Sequence, residues 1–248
     1  MAEETIPACI ECDTAAHAVH ERTEDRQVIE SLIELNNQRM ATYGLISRMY
    51  RVEIDKPTLE KMRTMLFPAA TGNEKVDEGF KLLATYLSRS WGNSITELAA
   101  DYVRVFIGDT NELDGAAFPY ESVYTSEKHL AMQEARDEVL AIYCAYGMKK
   151  DESWKEAEDH VAVELEFMKA MCQHIDDELK NGTIEKAAEL FASQSNFLED
   201  HLVSWVPMLT ADVRHFAQTD FYQGLAYLTD GYLETDKEFL QDFLADVK

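Results

Sequence analysis

Between Ser153 and Leu179 the chain reads SWKEAEDHVAVELEFMKAMCQHIDDEL, and Asp159, His160 and Glu164 are the residues in it whose types could do chemistry. A carboxylate beside an imidazole can move a proton, ligate a metal or pair with a cation. Among packed aliphatics such groups are costly, roughly 2–7 kcal/mol for each unpaired polar group, so they need partners. His160 and Glu164 are four apart and on a helix would share one face. A bland reading stands beside these, a core histidine tied to a carboxylate. A mononuclear metal site using His160 and Glu164 is a further alternative, without an evident third ligand. The paired-metal chemistry of helical bundles wants Glu-x-x-His on two facing helices, and none of the seven histidines has a glutamate three residues before it. No two of the ten glycines are two or five apart, so neither a dinucleotide fingerprint nor a phosphate-binding loop can be written.

The element that must position these residues is a long helix. Ser153 with Glu156 forms a capping-box start, Asn181-Gly182 supplies a left-handed close, and Trp154, Val161, Leu165, Met168, Cys172, Ile175 and Leu179 recur at helical spacing. Val163, Phe167 and Met171 widen the stripe, which predicts a central helix. Before it, a first long helix is predicted from about Asp25 to Arg51, a short one from Asp55-Lys56-Pro57 to Pro68, and a third from Asn73 to Gly92. A fourth opens with Ser94 and Glu97 and runs through DYVRVF to Gly108. The irregular stretch GDTNELDGAAFPYESVY follows, long enough to suggest function. A helix over 126–146 precedes the central one. After it, a helix starts at Thr183, the chain turns at Trp205 and Pro207, and FYQGLAYLTDGYLETDKEFLQDFL closes the series. No alternating strand of useful length intervenes.

The expectation is therefore an all-α, single-domain irregular bundle of about eight to ten helices spanning 23–248, with 1–22 as an arm, mobile or loosely packed. With 46% hydrophobic residues the core is well supplied, while 10 glycines and 5 prolines are too few for an all-β fold. No apolar run reaches the length of a membrane span and the acidic N-terminus lacks a signal-peptide layout, which points to a cytoplasmic protein without stable membrane insertion. The net charge of −24 disfavours nucleic acid and anionic lipid and favours a cationic partner such as a basic peptide. Cys9, Cys12, Cys144 and Cys172 do not form a disulfide framework, the last two falling on helices expected to be buried. Cys9, Cys12, His17 and His20 are ordered as zinc ligands could be, but on one short segment without a second structural unit.

The segment EDHVAVELEFM closely resembles the E-P-x-D-H-x-x-x-E-L-x-F-M segment of the TorD/DmsD family of redox-enzyme maturation chaperones, with Ala157 where the family usually has proline. Three further blocks are similar to the same family and occur in its order. They are DYVRVFIG at 101–108, FPYESVY at 118–124 and FLEDHLVSWVP at 197–207, with Val105 and Phe118 as departures. The resemblance implies a chaperone, not an enzyme, which needs no cofactor of its own. It would bind the twin-arginine signal peptide of a molybdoenzyme precursor of the dimethyl sulfoxide reductase type and hold it until the cofactor is inserted. A nitrate-reductase-type assembly factor acting on the immature catalytic subunit is the alternative within the class. Such a receptor needs carboxylates for the guanidinium groups and a greasy wall for the tail. Tyr102, Val105, Phe106, Pro119 and Tyr120 are the expected wall, Asp159 and His160 its polar edge, and Glu121 and Glu164 additional arginine partners. Either a monomer or a helix-exchanged dimer is compatible with the resemblance.

Overall fold

The structure is a computed structural model that describes residues 10–89, 92–108 and 115–246, with side chains from Arg26 onward. Among the described residues it contains ten α-helices and no strand longer than a single bridge. They are α1 (Ile10–Arg51), α2 (Lys56–Met62), α3 (Glu74–Ser88), α4 (Ser94–Tyr102), α5 (Glu121–Thr125), α6 (Glu134–Ala145), α7 (Val161–Asn181), α8 (Ile184–Leu198), α9 (Val206–Phe216) and α10 (Asp220–Asp246). Two of them end in wider π turns, α4 through Val103–Ile107 and α8 through Glu199–Val203. The all-α expectation holds.

Two long pairings organise the bundle. Helix α1 lies along α7 and α10 along α3. The first is clipped by a buried polar network. Arg39 donates through Nε and Nη2 to the two oxygens of Asp236 at 2.6 and 2.8 Å, while Nη1 reaches Asn36 and Nη2 also reaches Gln194. Asn36 in turn donates to Asp176 and to the Cys172 carbonyl on α7, and Tyr43 donates to Asp236. Every member has a partner, which is what allows a buried arginine to sit between four helices. The α3–α10 pair is held close by small residues instead. A Cβ placed on Gly79 would lie 2.5 Å from the Leu228 amide nitrogen, and one on Gly231 would lie 2.6 Å from that of Val76.

Several boundaries differ from the sequence expectation, each for a local reason. Helix α1 begins at Ile10, ahead of Asp25, because no glycine or proline interrupts the segment. Cys9 and the side chains of Cys12, His17 and His20 lie outside the described residues. Helix α6 starts at Glu134 instead of residue 126, since His129 and Met132 adopt left-handed φ of 51° and 59° that no helix accommodates. Asn93, not Ser94, stands at the N-cap of α4, and Glu97 accepts the Tyr86 hydroxyl at 2.8 Å instead of reaching back. Cys144 is exposed, against expectation, and Cys172 is buried; both are free thiols.

The central helix is shorter than the 153–179 expected. It begins at Val161, and residues 151–159 form an irregular strap. The Ser153 amide is taken by Asp151 at 2.8 Å, and the Lys150 ammonium holds the Glu156 carbonyl and the Glu158 carboxylate. The capping box therefore never closes. His160 caps the helix instead, its extended backbone letting Nδ1 accept the Ala162 amide at 3.0 Å. At the other end Gly182, φ 76°, closes α7 as the sequence indicates.

Candidate functional site

The strap, the aromatic loop and the end of α4 do converge. The Glu121 amide donates to the Asp159 carbonyl and the Val161 amide to the Pro119 carbonyl, both at 2.9 Å, so that Tyr120 and His160 form a one-residue antiparallel bridge. Their rings meet edge to face at 5.0 Å. Asp159 locks the loop from the side, its Oδ2 accepting the Ser122 amide at 3.1 Å and hydroxyl at 2.5 Å. The Ala117 amide reaches back to the Val105 carbonyl at 2.7 Å, where the π turn frees that acceptor.

A fourth block joins from the C-terminal side. His201, in the π turn after α8, faces both oxygens of Glu121 at 3.2 and 3.3 Å through Nδ1. Trp205 donates to the His201 carbonyl at 2.6 Å and stacks on Tyr124 at 5.6 Å. All four sequence blocks thus meet in one junction. His201 and Trp205 were not among the expected site residues, although their block was visible. Nothing in the sequence joined them to Glu121, eighty positions away. Asp101 was also missed. It accepts both the Gln218 and Thr219 amides and the Thr219 hydroxyl, so it caps the start of α10, with Arg104 held at its side.

The junction is sealed. Val105, Asp159 and Glu164 have no exposed surface, and Tyr102, Phe106, Pro119, Glu121 and His160 are buried. Tyr102 sends its hydroxyl to the Tyr50 carbonyl at 3.0 Å, and its ring and that of Phe106 pack on Tyr222. These wall residues are core here, where an open groove was expected. Tyr120 alone of the nine expected residues is half-buried and reaches the surface. On the outer side of the same π turn, Val103 and Ile107 are 41% and 49% exposed. These two residues, and not Val105 and Phe106, present its apolar surface to solvent.

Electrostatics inside the junction are unusual. Burial first, then the charges of Glu121 and Asp159, push the Glu164 carboxyl well above the ordinary carboxylate range. Glu121 and Trp205 lie beside Glu164, but neither of its oxygens nor Asp159 Oδ1 makes a well-formed hydrogen bond. Burial, with the Lys150 charge, depresses His160 to about 3, which agrees with an Nδ1 that must stay bare to accept the Ala162 amide. His201 moves the other way. Burial pulls it down, but the hydrogen bond and charge of Glu121 outweigh that and raise it. Tyr120 is raised by burial and then by the charges of Glu156 and Asp159. Glu156 and Glu53 act similarly on Tyr102. The metal alternative fares poorly, because His160 spends Nδ1 on capping α7. Among the described residues no three His, Cys, Asp or Glu side chains converge as metal ligands would.

What the fold and junction define is an all-helical protein whose four spaced motifs lock one aromatic loop over a buried acidic centre. The chain belongs to the nitrate reductase delta subunit family, the TorD-like redox-enzyme maturation chaperones, whose sequence model matches residues 72–211. It is 28% identical over 211 residues to the chaperone protein TorD of Vibrio parahaemolyticus, covering 83% of this chain and 95% of that one. The TorD proteins of Vibrio cholerae (25% over 229 residues, 88% and 99% covered) and Shewanella pealeana (27% over 219 residues, 83% and 91% covered) are similar to it as well. A crystal structure of a candidate redox enzyme maturation protein from Archaeoglobus fulgidus aligns over 82% of this chain and 93% of that one, with a TM-score of 0.40 and 18% identity. The family is one of chaperones and not of enzymes. Among the described residues no helix is long and apolar enough to cross a membrane.

Proposed function

We propose that this chaperone binds the twin-arginine signal peptide of a molybdoenzyme precursor of the dimethyl sulfoxide reductase type, in the cytoplasm, and holds it for cofactor insertion before export. The observation that carries this reading is the half-buried Tyr120 at the surface of the junction, with Glu156 acting on its phenol and Val103 and Ile107 exposed on the adjoining π turn. A surface aromatic on a chain of net charge −24 suits a guanidinium, by stacking and by charge, and exposed aliphatics suit the apolar stretch after it. In this reading Asp159, His160, Glu121 and Glu164 position the loop from beneath, while Tyr102, Val105, Phe106 and Pro119 support it.

The test is titration of a twin-arginine peptide against folded Tyr120→Ala and Asp159→Asn variants. Tyr120→Ala weakens binding by losing a contact. Asp159→Asn weakens it by loosening the Ser122 anchor. Wild-type affinity in both variants removes the assignment. The match of residues 72–211 to the nitrate reductase delta subunit model favours a second reading, an assembly factor that engages the immature catalytic subunit. Co-purification with precursors carrying or lacking the twin-arginine segment separates the two. Sizing of the purified protein decides between a monomer and a helix-exchanged dimer.

A further inference from the structure

Behind the strap lies a cleft of 310 Å³ between the end of α6 and the outer face of α7. Tyr143, Val163, Phe167 and Ala170 form its floor and Trp154 on the strap one wall. Its volume is at the low end of the roughly 300–1,000 Å³ of small-molecule pockets, room for one or two large side chains.

The rim carries two cations and two anions. Lys149 pairs with Glu152 at 3.1 Å, Lys150 with Glu158 at 3.3 Å, Glu166 with Lys169 at 2.9 Å, and Asp151 accepts the Ser153 amide. In a chain of net charge −24 this is a locally neutral, apolar concavity. The backbone links it to the junction. The strap that forms its rim runs directly into Asp159 and His160, and the floor residue Tyr143 donates its hydroxyl to the Glu158 carbonyl at 3.1 Å.

We infer that this cleft receives a large aliphatic or aromatic side chain from the uncharged stretch that follows the arginine pair of the client peptide. The inference rests on the signal-peptide reading and adds a direction to it. The arginines stay at Tyr120, and the neutral segment crosses the strap to the cleft, where two cations and two anions balance at the rim. Trp154 is the wall that the incoming side chain touches, and it is steadied by the Arg51 guanidinium 3.7 Å from its ring centre.

The experiment uses fluorescence anisotropy with two peptides, one carrying the arginine pair and its apolar stretch, the other with the apolar residues replaced by serine. Each is titrated against wild type, Ala170→Phe, which fills the cleft from half-buried α7 surface, and Trp154→Ala, which removes a wall in an irregular segment and guards against a misfolded first variant. The expected result is tenfold or greater weakening of the full peptide by either variant, with the serine peptide bound equally by all three proteins. Wild-type affinity of both variants for the full peptide overturns the inference, as does an equal loss for both peptides. Failure of wild type to bind either peptide brings down the signal-peptide reading itself, an outcome distinguishable from the other two.

Discussion

Replacing His160 by asparagine should change the acid response of the whole fold. Asparagine is a good N-cap and can keep accepting the Ala162 amide, but it does not titrate. In the wild type, burial first and then Lys150 depress His160 from 6.5 to about 3. The folded pKa lies below the unfolded one, so between these values the unfolded chain binds a proton that the native chain refuses. Stability therefore falls as pH falls from 6.5 towards 3, and is flat with respect to this group above 6.5. At about 1.36 kcal/mol per pH unit, lowering the pH from neutral to about 4.5 costs the wild type roughly 2.7 kcal/mol that His160→Asn does not lose. The loss of the Tyr120 edge contact adds a constant offset without a slope. Carboxylates common to both proteins cancel in the difference. Urea denaturation at four pH values between about 4.5 and 7.5, plotted as wild type minus variant, reads this directly. Two profiles that stay parallel within about 0.5 kcal/mol would show that His160 titrates normally, and with it the capped, buried junction would be wrong.

The other expectations concern packing and the acidic centre. Gly79→Ala removes a helix-interior glycine, worth about 1 kcal/mol in propensity, yet drives a methyl against the Leu228 backbone. Net destabilisation of about 1–3 kcal/mol is expected in thermal or urea unfolding, and a stabilised variant would contradict the close α3–α10 approach. Glu164→Gln should stabilise the protein at neutral and higher pH. The folded pKa of Glu164 is raised, so the native chain holds a proton the unfolded chain has lost, and wild-type stability declines as pH rises above the unfolded value of 4.5. The gain should vanish below about pH 4, and a variant less stable than wild type at pH 8 would refute the raised pKa of Glu164.

What was legible in the sequence is what local chemistry and periodicity determine. The helical class, the start of α3 at Asn73, the left-handed close at Gly182 and the four motif blocks in order all follow from residues within a few positions of one another. The start of α7 was misplaced because Ser153 and Glu156 satisfy a capping pattern, whereas in the fold Asp151 takes the Ser153 amide that the pattern needs, and Lys150 ties the Glu156 carbonyl into the strap. The helical spacing of Tyr102, Val105 and Phe106 in DYVRVFIG marks an inward face, and the structure buries all three. Spacing alone does not say whether such a face lines an open groove or a closed core, because that depends on what distant segments lay over it. The pairing of Glu121 with His201, the anchoring of Ser122 by Asp159 and the α10 cap by Asp101 join residues that are distant in sequence, and no spacing encodes them. Residue types specified which side chains could carry charge or grease. Burial, which depends on what the rest of the chain lays over each one, decided that most of them hold the junction shut and that Tyr120 meets the solvent.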